Sequence, residues 1–271
     1  MFGTTFYHST TRKYVIAFGT IFNDIVIKRT DATGNTTQLL KVPLTYAPKD
    51  KMLARVVADP NLNRQVAVDL PMMSFELKGM TYDSSRKKNT LNRIVRKNPT
   101  NANTLNYQYQ SVPWNLEFEL NIYVQDAEDG TKILEQILPF FTPSWNFTLN
   151  MIPEMNIKPD IHVIIGTPTS EDRYDGAFTV RRAVTWTIPF TLKGEYYGPT
   201  KAGKIIKFSK MDFYLGETAT PDSIIGELVT SPGLTANGKP TYIANNSVDP
   251  NVIYVDNDFG FVVKPTGNFL K

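Results

Sequence analysis

The sequence predicts an α+β fold, in which a mostly antiparallel or mixed β-sheet is packed by a few helices and followed by an extended C-terminal arm. Strong period-two hydrophobicity, three stretches of helical periodicity and a change of texture near Gly216 carry that expectation. Trp114, Leu116, Phe118, Leu120, Ile122 and Val124 alternate with Asn115, Glu117, Glu119, Asn121 and Tyr123, as a strand with one buried face requires. Val184, Trp186, Ile188, Phe190 and Leu192 repeat the pattern against Thr185, Thr187, Pro189, Thr191 and Lys193. Pro189 donates no ladder hydrogen bond, which predicts an edge or a bulge there. Weaker strands are expected at residues 25–29, 39–46, 70–82, 160–167 and 205–213. Alternation with one polar face favours antiparallel or mixed pairing.

Three segments read as helices. Ser9 or Thr10 is placed to cap the first, whose Tyr14, Phe18, Ile21 and Phe22 fall on one face. Pro48 and Asp50 open a short second helix carrying Met52, Leu53, Val56 and Val57. The third takes Asp126 as cap and Glu128 and Asp129 in its first turn. It presents Ile133, Leu134, Ile137 and Leu138, and stops near Pro139. Helices set against a sheet give a layered α+β fold.

After Gly216, Gly, Pro, Asn, Thr and Ser become frequent and apolar residues come in short groups such as Ile224-Ile225. The expected division is an α+β core over residues 1–214 and an extended arm or small β appendage over 215–271.

A content of 41% hydrophobic and 20% charged residues is globular, not disordered. A net charge of +3 over 271 residues is too small to signal a nucleic-acid or membrane binder by itself. Its distribution says more. No acid occurs between Ser84 and Leu116, while Arg86, Lys87, Lys88, Arg93, Arg96 and Lys97 crowd the first half of that stretch. Beyond Leu215, Glu217, Asp222, Glu227, Asp249, Asp256 and Asp258 face three lysines. The basic segment 84–97 is either a solvated loop or an electropositive finger for an acidic partner or DNA phosphates. It lacks the interleaved aromatics of a single-strand binder, and Tyr107 and Tyr109 are expected to pack on a sheet.

Cysteine is absent, so disulfides and thiolate metal sites are excluded. No apolar run approaches bilayer-spanning length. The opening MFGTTFYHSTTRKY lacks the apolar core of a signal peptide, so assembly in the cytoplasm is expected.

Catalytic signals are weak. Residues 198–204 reproduce the glycine and lysine spacing of a P-loop. Ile205, however, replaces the hydroxyl residue, Pro199 removes an amide, and the following IIKF reads as strand. His8 and His162 cannot make a three-ligand zinc site without carboxylates, and no spacing nominates any. Glu171, Asp172 and Asp175 read as a solvated cluster. The aromatic run from Phe140 to Phe147 reads as a core corner, with a subunit contact as the alternative. These features predict no enzyme, no cofactor and no metal site.

A series of longer stretches is more specific. MFGTTFYHSTTRKY, IVIKR, KVPLTYAPKDK, LPMMSFELKGMTYDSSRKKNTLNRI, NLEFELNIYV, KILEQILPFFTPSWN, IKPDIHVII and RRAVTWTIPFTLKGEYYGP follow in order and cover most of residues 1–200. In that series the chain resembles the tail sheath stabiliser and completion proteins of T-even-type contractile-tailed phages. The resemblance implies a structural virion protein in the tail and neck. It further implies a homo-hexameric ring on the last sheath ring, with the tail-tube terminator inside and the neck and head completion proteins above. Genomic DNA in the channel would then lie close by. Other readings are the tube terminator ring itself, a nucleotide-binding enzyme using residues 198–204, and a DNA-binding module using segment 84–97. The resemblance transfers no individual binding residue.

Overall fold

The computed structural model describes residues 5–30, 36–57, 70–98, 104–173, 183–214, 224–254 and 257–267. Asp175, Glu217, Asp222 and Asp256, and the side chains of Val56 and Val57, lie outside the described residues. The elements begin with α1 (Thr10–Ile21), β1 (Val26–Thr30), β2 (Thr36–Lys41), β3 (Leu44–Tyr46), α2 (Lys49–Val57) and β4 (Met72–Tyr82). There follow β5 (Arg93–Lys97), β6 (Thr104–Tyr109), β7 (Val112–Val124), α3 (Ala127–Ile137), β8 (Ser144–Thr148), β9 (Asp160–Ile165) and β10 (Thr169–Arg173). The last are β11 (Ala183–Tyr196), β12 (Lys201–Lys204), β13 (Ser209–Tyr214), β14 (Ile224–Gly233) and β15 (Gly260–Gly267). They form two compact units, one of Met1–Leu91 with Gln110–Gly198, the other of Asn92–Tyr109 with Pro199–Lys271.

The first unit is built on a seven-stranded sheet of order β3-β4-β7-β11-β9-β8, with β10 also paired to β11. All its pairs are antiparallel except β3 with β4. The two alternating stretches are its spine. Register sets Phe118 opposite Phe190 and Leu120 opposite Ile188, so their apolar faces coincide, and Leu116, Phe118, Leu120, Ile122, Ile188, Phe190 and Leu192 are buried. α1 covers this face because Tyr14, Phe18 and Phe22 recur at four-residue spacing. Phe18 stacks on Phe118 with ring centroids 4.4 Å apart, and Phe22 lies 5.2 Å from Phe190.

α3 packs on the same face. Gly130 lies against Trp186, where an added Cβ would fall 2.5 Å from the indole Nε1. α2 takes the opposite face, burying Met52 and Leu53 with Ala47, Leu70, Met72 and Tyr123. The Tyr123 hydroxyl is 3.1 Å from Ser74 Oγ, and burial pushes the phenol up to about 12.

Several local expectations change. Pro189 sits in a central strand, at the point where the neighbour of β11 switches from β9, ending at Ile165, to β10, starting at Thr169. Its carbonyl accepts from Gly166 N at 2.7 Å, so the missing donor falls in the gap between two strands. Ser9 takes the cap position of α1 in a left-handed conformation (φ 55°), and its side chain makes no capping bond. The strand expected at 205–213 starts only at Ser209, and Ile206 is 90% exposed.

The second unit contains two three-stranded antiparallel sheets, β12-β6-β5 and β13-β14-β15. The residues after Gly216 thus contribute β14 and β15.

Candidate partner-binding surfaces

The six basic residues of segment 84–97 do not form one loop. Ser84–Arg86 is a 3-10 turn in the first unit, whereas Arg93, Arg96 and Lys97 lie on β5 in the second. Arg86 is held internally. Its Nε donates to Asp83 Oδ2 at 2.8 Å and its Nη2 to Asn115 Oδ1 at 2.8 Å. Hydrogen bonds from Ser85 and then Arg86 hold the Asp83 carboxyl well below the usual carboxylate range.

Lys88 is also committed to the fold. Its Nζ donates to Glu195 Oε1 at 2.5 Å and Ser111 Oγ at 3.1 Å, while Ser111 and Tyr197 donate to Glu195 Oε2. Burial pushes the Glu195 carboxyl up. The hydrogen bonds from Lys88, Ser111 and Tyr197, with the charge of Lys88, outweigh burial and bring it below its ordinary value. Lys87, between these two anchored cations, is exposed.

On β5, Arg93 lies over two rings contributed by β6. Its guanidinium carbon is 5.5 Å from the Tyr107 centroid and 5.4 Å from that of Tyr109, within cation–π range. The aromatics missing from the basic segment are therefore supplied by the neighbouring strand. Gly203 on β12 lies beside Tyr107, and an added Cβ there would meet its ring at 3.4 Å.

The first unit carries an apolar surface along α1 and β8. A groove of about 620 Å³ is lined by Ile16, Ala17, Ile21, Trp145, Phe147 and Leu149. Ile21 and Trp145 also line a second cavity of about 360 Å³ with Phe22, Ile25, Ile137 and Phe140. Ile16 is 58% and Phe140 59% exposed. β8 closes one end of the sheet order, so its outer edge pairs with no strand among the described residues. The aromatic run divides here. Phe141 is buried against Phe22 and Phe190, while Phe140 turns outward, edge-on to Trp145. The available signal was Ile16, an apolar residue on the side of α1 away from Tyr14 and Phe18.

Among the described residues, the remaining sequence candidates do not assemble a reactive centre. Lys201–Lys204 is a strand paired with β6, so the P-loop spacing leads into no helix. His8 Nε2 is 2.9 Å from the Gly198 carbonyl, and His162 Nδ1 is 2.6 Å from Asn146 Oδ1 on the exposed side of β9. Glu171 pairs with Lys49 at 3.2 Å.

The sequence profile of the T4-like Myoviridae tail sheath stabilisers matches residues 5–251. The chain belongs to this family. It is 31% identical over 234 residues to tail completion protein gp15 of Enterobacteria phage T4, which covers 82% of this chain and 83% of that protein. It is therefore a structural component of a contractile phage tail, a tail sheath stabiliser and tail completion protein of the virion. The family match runs past residue 215, so strands of the second unit belong to it as well. Among the described residues, no helix is long and apolar enough to cross a membrane.

Proposed function

We propose that this chain, made in the host cytoplasm, closes the head-proximal end of the sheath as a homo-hexameric ring. There it meets the sheath protein below, the tail-tube terminator inside and the neck and head completion proteins above. The family match across both units carries this reading. Its work is mechanical and not catalytic, and it uses no cofactor. An extended sheath is a stack of rings whose last member has unpaired contact surface. A cap that binds extended-state subunits better than contracted ones shifts the balance by its differential affinity. Closed cyclic symmetry ends a stack that would otherwise add rings.

We assign the α1–β8 groove to the sheath subunit beneath. Its support is a mostly apolar lining with outward-turned Ile16, beside a strand edge that pairs with nothing described. An apolar patch of this kind on a tail protein fits an assembly contact. Among the six basic residues, Arg86 and Lys88 brace the first unit. Lys87, Arg93, Arg96 and Lys97 remain the candidates for an acidic partner surface or DNA phosphates.

Electron microscopy of purified protein mixed with assembled sheath on its tube tests the reading. Six-fold density at one end only is the expected result. Density along the sheath wall, or none, would overturn it.

A further inference from the structure

Register places Arg93, Val95 and Lys97 of β5 on the same face as Tyr109, Tyr107 and Leu105 of β6, and Lys201 of β12 on the same face beside Tyr107. Asn106 and Gln108, on the other face of β6, are buried, whereas Arg93, Val95, Lys97, Tyr109 and Lys201 are exposed. The three strands hold Arg93, Arg96, Lys97, Lys201 and Lys204 and not one acid. Tyr107 and Tyr109 stand nearly perpendicular, at 82°, and Arg93 occupies the corner between them. Among the described residues, no carboxylate pairs with Arg93.

We propose that this outer face of the β5–β6–β12 sheet binds the phosphodiester backbone of nucleic acid. A guanidinium resting on two rings keeps its N–H edge free and loses little freedom on meeting a phosphate, which it can grip with two hydrogen bonds. Arg93 already covers the tyrosine rings, so bases have no open platform and contact is to backbone. Contacts to phosphate carry no sequence information, so binding is independent of sequence. An acidic protein offers the other negative partner. Protein interfaces, however, deplete charge at their centre, whereas here five cations and no acid share three short strands. The proposal needs no ring, because the whole face lies within one unit.

The test is fluorescence anisotropy of the full chain with a labelled mixed-sequence DNA duplex, from 50 to 200 mM salt. Binding should weaken with a log–log slope of about −2.7, for three phosphates neutralised at about −0.9 each. The R93S/K201S variant should bind about tenfold more weakly at low salt, with its slope reduced to about −0.9. Should R93S lower the melting temperature, K201S alone is the deciding variant, with a slope reduced by about one unit. Polyglutamate of equal charge should compete poorly. The proposal is overturned by absence of duplex binding, by binding that the variants leave unchanged, or by polyglutamate competing as well as DNA.

Discussion

The Tyr14 hydroxyl donates to the Glu195 carbonyl at 2.8 Å and accepts from the Glu195 amide at 2.7 Å, so one phenol ties α1 to β11. Burial pushes that phenol far up, and it stays neutral at any ordinary pH. Tyr14→Phe leaves both backbone groups without this partner and is expected to lower stability by about 1–3 kcal/mol, measured by urea unfolding. The Glu195 side chain adds a pH dependence. Its carboxyl is below its ordinary value in the folded state, so the unfolded chain binds more protons through the acid range. Its contribution is complete above the ordinary glutamate value of about 4.3 and is lost as pH falls through the lower folded value. Lys88→Met removes the cation, raises the folded value and should flatten the acid limb of a stability–pH curve. Lys87→Ser, on an exposed side chain between the two anchored cations, should leave that curve unchanged.

Elements whose chemistry is local were legible in the sequence. Phe118 and Phe190 advertise their strands by strict alternation, and Tyr14, Phe18 and Phe22 advertise α1 by their spacing. Phe118→Ala should therefore cost about 3–5 kcal/mol, read from the denaturant midpoint. Elements defined by their neighbours were not legible. Arg93–Lys97 has charge on both faces and no alternation, and it is a strand because β6 pairs with it from Tyr109 to Leu105. Pro189 is tolerated mid-sheet only because two other strands leave a gap beside it, which no local pattern encodes. The groove escaped for the same reason. Trp145 and Phe147 read as a core corner, with a subunit contact as the alternative, and nothing local chooses between them until β8 takes the edge of the sheet and the α1 face carrying Ile16 lies beside it. Ile16→Glu should leave the unfolding midpoint within about 0.5 kcal/mol of wild type, as exposed positions do. The same change should abolish co-sedimentation with assembled sheath.

At the scale of the whole molecule, the family match shows a tail protein, and the physics of capping asks little of each copy. Moving a two-state sheath from 1:99 to 99:1 in favour of extension takes about 5.5 kcal/mol of differential binding, or about 0.9 kcal/mol per subunit across the six copies of the proposed ring. That is the size of one modest apolar contact made in the extended state and lost in the contracted one, within reach of the α1–β8 groove. The most direct measurement is the fraction of sheaths still extended, counted by electron microscopy after a fixed mild urea challenge, with and without added protein. Wild type should hold most sheaths extended under conditions where bare sheaths contract, and Ile16→Glu should protect none. Equal contraction with and without the wild-type protein would contradict the account.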